Sequence, residues 1–121
     1  MEKSALFVGW GAIIAGRETQ AKQVLQEALQ YCNSLQSANR IESFDVVILE
    51  PHGSSLSGFV LLKGDAAKIG TLRLDADFVS VIIGVQLVHQ HVRVVGAHTG
   101  NEIAAIFKMW DTQEHRLLTT E

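Results

Sequence analysis

The sequence has one cysteine, Cys32, which excludes an internal disulfide. Its single proline, Pro51, leaves the stretches on either side free to form long elements. Basic residues are few and scattered: ten Lys and Arg against thirteen Asp and Glu give a net charge of −3. A nucleic-acid surface draws its affinity from clustered cations that neutralise phosphates, so no nucleic-acid partner is expected. No apolar run is long enough to span a bilayer: residues 78–88 make eleven positions interrupted by Gln86, where about twenty are needed. The apolar residues 5–16 follow Lys3, but Glu2 cancels that charge and Arg17-Glu18 stands where a signal-peptide cleavage site needs small residues. A cytoplasmic protein without membrane attachment is the expectation. What is abundant is apolar side chain, 47% of the residues, which is enough to build one core and leaves little for disordered tails. Residues 1–121 therefore read as one domain.

Two periodicities order the chain. Residues 6–13 form an apolar run rich in β-formers, with Gly9 and Gly11 weakening any helix, and predict a strand. From 18 to 35, Ala21, Val24, Leu25, Ala28, Cys32 and Leu35 recur at helical spacing, with Gln, Glu and Lys opposite. Residues 44–49 and 58–62 read as two strands of a hairpin around the turn cluster Pro51-His52-Gly53-Ser54-Ser55. Residues 66–74 are weakly helical. The β-branched stretch from 78 suits a strand or a helix; Phe78, Ile82, Val85 and His89 share a helical face, and the chain needs a crossover there, so a helix capped by Asp75 or Asp77 is expected. A fourth strand, 92–97, and a last helix capped by Asn101 follow. The apolar face of that helix, Ile103, Ile106, Phe107 and Trp110, is read as core.

The order β-α-β-β-α-β with a terminal helix is the ferredoxin-like pattern, an α+β class with helices on one face of an antiparallel sheet. A sheet with one wet face alternates apolar and polar residues along its strands. Here both faces are apolar: Leu6, Val8 and Trp10 alternate with Phe7 and Ile13, and Val60 and Leu62 with Phe59 and Leu61. Leaving about ten such side chains in water forfeits roughly 1.5–3 kcal/mol each, more than a typical domain's whole stability. The open face is therefore expected to meet the same face of a second copy in a homodimer.

Phe7-Val8-Gly9-Trp10-Gly11, the helix start Gly16-Arg17-Glu18, Arg40-Ile41-Glu42-Ser43-Phe44-Asp45-Val46-Val47, Gly58-Phe59 and Leu72-Arg73-Leu74-Asp75-Ala76-Asp77-Phe78 together resemble a small bacterial family of about this length that carries no established activity. Its element order is similar to the dimeric α+β-barrel superfamily. That superfamily includes antibiotic-biosynthesis and haem-degrading monooxygenases, muconolactone isomerases and stress-responsive barrel proteins. The resemblance implies a dimeric barrel with a ligand space.

The candidate chemistry is sparse. His89 and His91 are two apart, so on a strand their imidazoles share a face, but no third ligand stands at fixed spacing and no metal is expected. Gly9-x-Gly11 has Ile14 where a dinucleotide fingerprint needs glycine, and no phosphate-cradling loop exists, so no cofactor is expected. Cys32 reads as a core thiol. If Phe44, Val46, Val92 and Val94 face the helices, then Asp45, His91 and Arg93 point to the partner sheet, with Trp10 or its neighbours as a flat wall. Trp10, Asp45, His91 and Arg93 are thus the candidate ligand-binding residues. Asp45 and Arg93 have a competing structural role, pairing where two sheet edges meet. Three functions fit: binding of a small apolar or aromatic ligand; cofactor-independent oxygenation or isomerisation with His91 as base and Arg93 holding an enolate oxygen; or a purely structural dimer.

Overall fold

The computed structural model describes residues 2–119. Strand β1 (Lys3–Trp10) leads to helix α1 (Glu18–Ser37), strands β2 (Ser43–Ile48) and β3 (Gly58–Asp65), helices α2 (Ala66–Leu72) and α3 (Ala76–Val88), strand β4 (Arg93–Ala97) and helix α4 (Asn101–Leu118). The strands form one antiparallel sheet in the order β2-β3-β1-β4. Because β3 and β4 both run antiparallel to β1, they are parallel to each other and need a crossover, which α3 supplies. The topology is ferredoxin-like.

Alternation along the strands assigns the two faces. Leu6, Val8 and Trp10 of β1 and Val60 and Leu62 of β3 pack with Cys32 and Leu35 of α1 and Phe78 and Val85 of α3 into one core. Phe44, Val92 and Val94 border it, as the sequence predicts, while Val46, expected with them, is 36% exposed and outside the core cluster. Trp10 thus belongs to the helix side and not to the face turned toward a partner, because it keeps the parity of Leu6 and Val8 to the end of β1. The opposite face is built in three cross-strand rows: Arg93-Gly9-Phe59-Val47, Val95-Phe7-Leu61-Asp45 and Ala97-Ala5-Lys63-Ser43. Its centre is apolar and aromatic, with the Phe7 and Phe59 rings 5.0 Å apart. Asp45 and Arg93 sit on opposite edges of this face. Within the chain Asp45 pairs with Lys63 at 3.1 Å and not with Arg93.

Three local expectations are corrected. Asp75 stands at the N-cap position of α3, but its side chain makes no capping bond; it forms an ion pair with Arg40, which ties the end of α1 to the start of α3. The guanidinium outcompetes the helix N–H groups because the bond is charged on both sides. Asn101 is the first residue of α4 and not its cap; that position falls to Gly100, whose φ of 58° suits a residue without Cβ. Trp110 is not core. It is 66% exposed, and no residue of α4 is buried.

Cys32 is buried, and burial pushes its thiol up to about 11. Unfolded, the thiol ionises from its ordinary value near 9, so the native state holds its proton where the unfolded chain releases one. That contribution to stability is intact below pH 9 and is lost as pH rises toward 11. Urea midpoints are expected to fall across this window by an amount equivalent to roughly 2 kcal/mol, and Cys32→Ala is expected to remove that part of the slope. An unchanged slope in the variant assigns it to other groups.

Candidate ligand site

At the Trp10 end of β1 three segments converge. Gly11 donates to the Gln90 carbonyl at 2.7 Å, Gln90 donates back to Ala12 at 2.9 Å, and Ile14 donates to Val88 at 2.8 Å. The β2–β3 loop joins them, Ser57 donating to the Trp10 carbonyl at 2.7 Å. Gly11 permits this approach: a Cβ there would stand 2.7 Å from the Ser55 carbonyl and 2.8 Å from that of Gln90. Gly58 does the same for the indole, since a Cβ on it would lie 2.9 Å from Trp10 Cζ2. Both glycines are occupied by what packs on them.

Two cavities meet here. An inner one of about 50 Å³ lies between the sheet and helices α1 and α3, walled by Val8, Val60, Val24, Ala28, Phe78 and Ile82 among others. An outer cleft of about 620 Å³ opens at the Trp10 end of the sheet between the start of α1 and the β2–β3 loop, with Glu18, Lys22, Glu50 and His52 in its walls. Trp10, Leu25 and His89 line both and so form the partition between them. The Trp10 and His89 rings are 5.8 Å apart and inclined at 44°. His89 Nδ1 lies 3.0 Å from the Gly11 carbonyl. A carbonyl only accepts, so Nδ1 carries a proton, and in the neutral ring Nε2 is the acceptor left for another partner. Tyr31 also lines the inner cavity; its hydroxyl is buried without a hydrogen-bond partner among the described residues. Burial, reinforced by the Asp75 charge, raises its pKa.

Of the four residues singled out from the sequence, only Trp10 lines these cavities. His91 does not share a face of β4 with Arg93. It precedes the strand in the turn from α3, is exposed, and takes a φ of 54°, so the period of two on which that expectation rested does not reach it. Arg93 is engaged with backbone: Nε donates to the His91 carbonyl at 3.1 Å, and a terminal nitrogen donates to the carbonyl and Oγ of Ser55 at 3.0 and 3.2 Å. It clamps the β2–β3 loop to the start of β4. Sequence reasoning passed over Tyr31, although its spacing from Val24 and Ala28 puts it on the apolar side of α1. It weighed His89 only as half of a metal pair.

This arrangement of sheet and helices recurs in solved structures. A dimeric ferredoxin-like protein of unknown function from Jannaschia sp. CCS1 matches with a TM-score of 0.63 at 11% identity, covering 81% of this chain and 100% of that one. A dabb family protein with a ferredoxin-like fold from Mesorhizobium loti matches at 0.62 and 9%, covering 83% and 100%. SnoaB, a cofactor-independent oxygenase from Streptomyces nogalater, matches at 0.59 and 6%, covering 84% and 95%. The shared fold is that of dimeric ferredoxin-like proteins. No protein-family model and no curated protein matches the sequence.

Replacing Arg93 with Ala is expected to release the 49–57 loop at a cost of about 1–2 kcal/mol, read as faster amide exchange across that loop with the sheet still protected. Arg93→Lys, which lacks the fork, is expected to recover only part of the protection. Unaltered exchange in Arg93→Ala would show that the loop holds itself.

Proposed function

We propose that this chain is a homodimeric ferredoxin-like barrel protein that binds a small apolar or aromatic ligand beneath its sheet, taken up through the outer cleft. The observation that carries the reading is the Trp10-Leu25-His89 wall shared by an open cleft and a smaller apolar space under the sheet. Ligand sites are concave, mostly apolar, and supplied with a few polar groups that fix orientation. Here those groups are His89 and the unpartnered Tyr31 hydroxyl. The inner cavity alone holds only a few atoms, so the body of the ligand occupies the cleft, and its apolar part displaces or passes the partition. Self-association is supported by the open face, where Phe7, Phe59, Leu61, Val47 and Val95 form an apolar patch of the kind that marks interaction surfaces. Matching proteins described as dimeric support it as well.

A second reading, cofactor-independent oxygenation, has one observation in its favour. The hydrogen bond from Nδ1 to Gly11 leaves His89 Nε2 as the ring's proton acceptor beside an apolar cavity, the arrangement needed to take a proton from a phenol or enol. SnoaB, of the same fold, is a cofactor-independent oxygenase. On this reading His89, and not His91, is the base, and Arg93 is occupied elsewhere.

Titration with 1-naphthol and with naphthalene, followed by Trp10 emission in a Trp110→Phe background, tests the site. Both are expected to bind, 1-naphthol about tenfold more tightly through its hydroxyl, and His89→Leu is expected to erase that preference. Ala28→Phe, which fills the inner cavity, is expected to weaken both. Binding unaffected by Ala28→Phe, or none up to the probes' solubility, would sink the proposal.

A further inference from the structure

Helix α4 is the unexplained element. Its eighteen residues make a rod about 27 Å long. One side carries Ile103, Ile106, Phe107, Trp110 and Leu117 at helical spacing, interrupted by Glu114; the other carries Lys108, Asp111, His115 and Arg116. No residue of it is buried, and Phe107, Trp110 and Leu117 are each more than 60% exposed. A helix of this length is marginal alone in water and draws its stability from burying such a stripe. At its start Asn101, Glu102 and Ala105 border a groove with Ser4, Ser43 and Lys63. Ser43 and Lys63 belong to the open face of the sheet, so α4 starts at the margin of that face and its apolar stripe continues the same surface.

We infer that α4 is an arm of the dimer, with its apolar side packed on the second copy of the chain. The occupant follows from area. The open face spans four strands about 4.8 Å apart and about six residues at 3.3 Å, a footprint of about 400 Å². A stable interface needs about 800 Å² from each partner. The α4 stripe, about 27 Å by 10 Å, adds about 270 Å², and by twofold symmetry each copy both offers an arm and receives one. The total is then about 900 Å² per copy, within the standard range, whereas the sheet face alone falls short.

The inference rests on the dimer of the preceding reading, and the experiment separates the two. Trp110 is the chain's second tryptophan and an internal probe. In Trp10→Phe its emission is expected to be blue-shifted and shielded from acrylamide where light scattering gives two chains, and to become red and quenchable on dilution to one. Phe107→Asp/Trp110→Asp is expected to raise the dimer dissociation constant by at least about 30-fold. Should Trp10→Phe not fold, amide exchange of residues 107–118 in the unaltered chain across the same dilution reads the same event. Three results would overturn the inference while leaving the dimer intact: Trp110 quenchable in the dimer, Trp110 still shielded in the single chain, or shielding only when phosphatidylglycerol vesicles are added. A single-chain mass for the unaltered protein at every concentration would remove the dimer as well.

Discussion

The sheet is apolar on both sides, and the helices cover only one. Leu6, Val8, Trp10, Val60 and Leu62 are sealed under α1 and α3, while Phe7, Phe59, Leu61 and Val47 occupy the same strands one residue out of phase. Since successive side chains on a strand alternate in direction, no change of register satisfies both sets. On the proposed reading the second face meets a partner surface of equal character, and the sheet edges, with Asp45 on β2 and Arg93 on β4, frame that surface without entering its centre. The same demand makes sense of a terminal helix with no buried residue, which a lone chain has little reason to keep amphipathic.

The Trp10 end of the sheet answers to a different constraint, the close approach of backbone. Gly11 and Gly58 let the β2–β3 loop and the 88–90 segment close on Trp10, and Arg93 fastens that loop from the opposite side of the sheet. A residue on the open face thus positions the wall of a cleft on the covered one. On the proposed reading, dimer contacts near Arg93 and occupancy of the cleft are coupled through a single loop.

Much of this fold is legible from periodicity. The spacing of Ala21, Val24, Ala28 and Leu35 gives α1 nearly to the residue, and the parity of Phe44, Val92 and Val94 gives the covered face of both edge strands. For α3, β-branched residues suit either structure; the shared helical face of Phe78, Ile82, Val85 and His89 and the need for a crossover favour the helix, and the parallel β3 and β4 show what that crossover joins. The site was less legible. His91 was placed by extending a strand's alternation through a position that takes a left-handed backbone, and nothing in the residue types around it signals that turn. Trp110 was assigned to the core because amphipathic spacing shows that a helix face is covered but not which chain covers it.

Charge placement bears on what the site accepts. The ion pairs Lys3–Glu42, Lys63–Asp45 and Arg40–Asp75 lie outside the inner cavity, and Glu18, Lys22 and Glu50 stand in the outer cleft. Among the described residues, no Asp, Glu, Lys or Arg lines the inner cavity. An ionised group carried past Trp10 would lose its hydration and gain at most a hydrogen bond from Tyr31 or His89, a poor exchange for a charge. A neutral hydroxyl needs one partner, and either residue supplies it. On the proposed reading the partition therefore selects by desolvation: a ligand can keep charge in the cleft, but the part that enters the inner cavity must be uncharged, small, and polar at no more than one or two atoms.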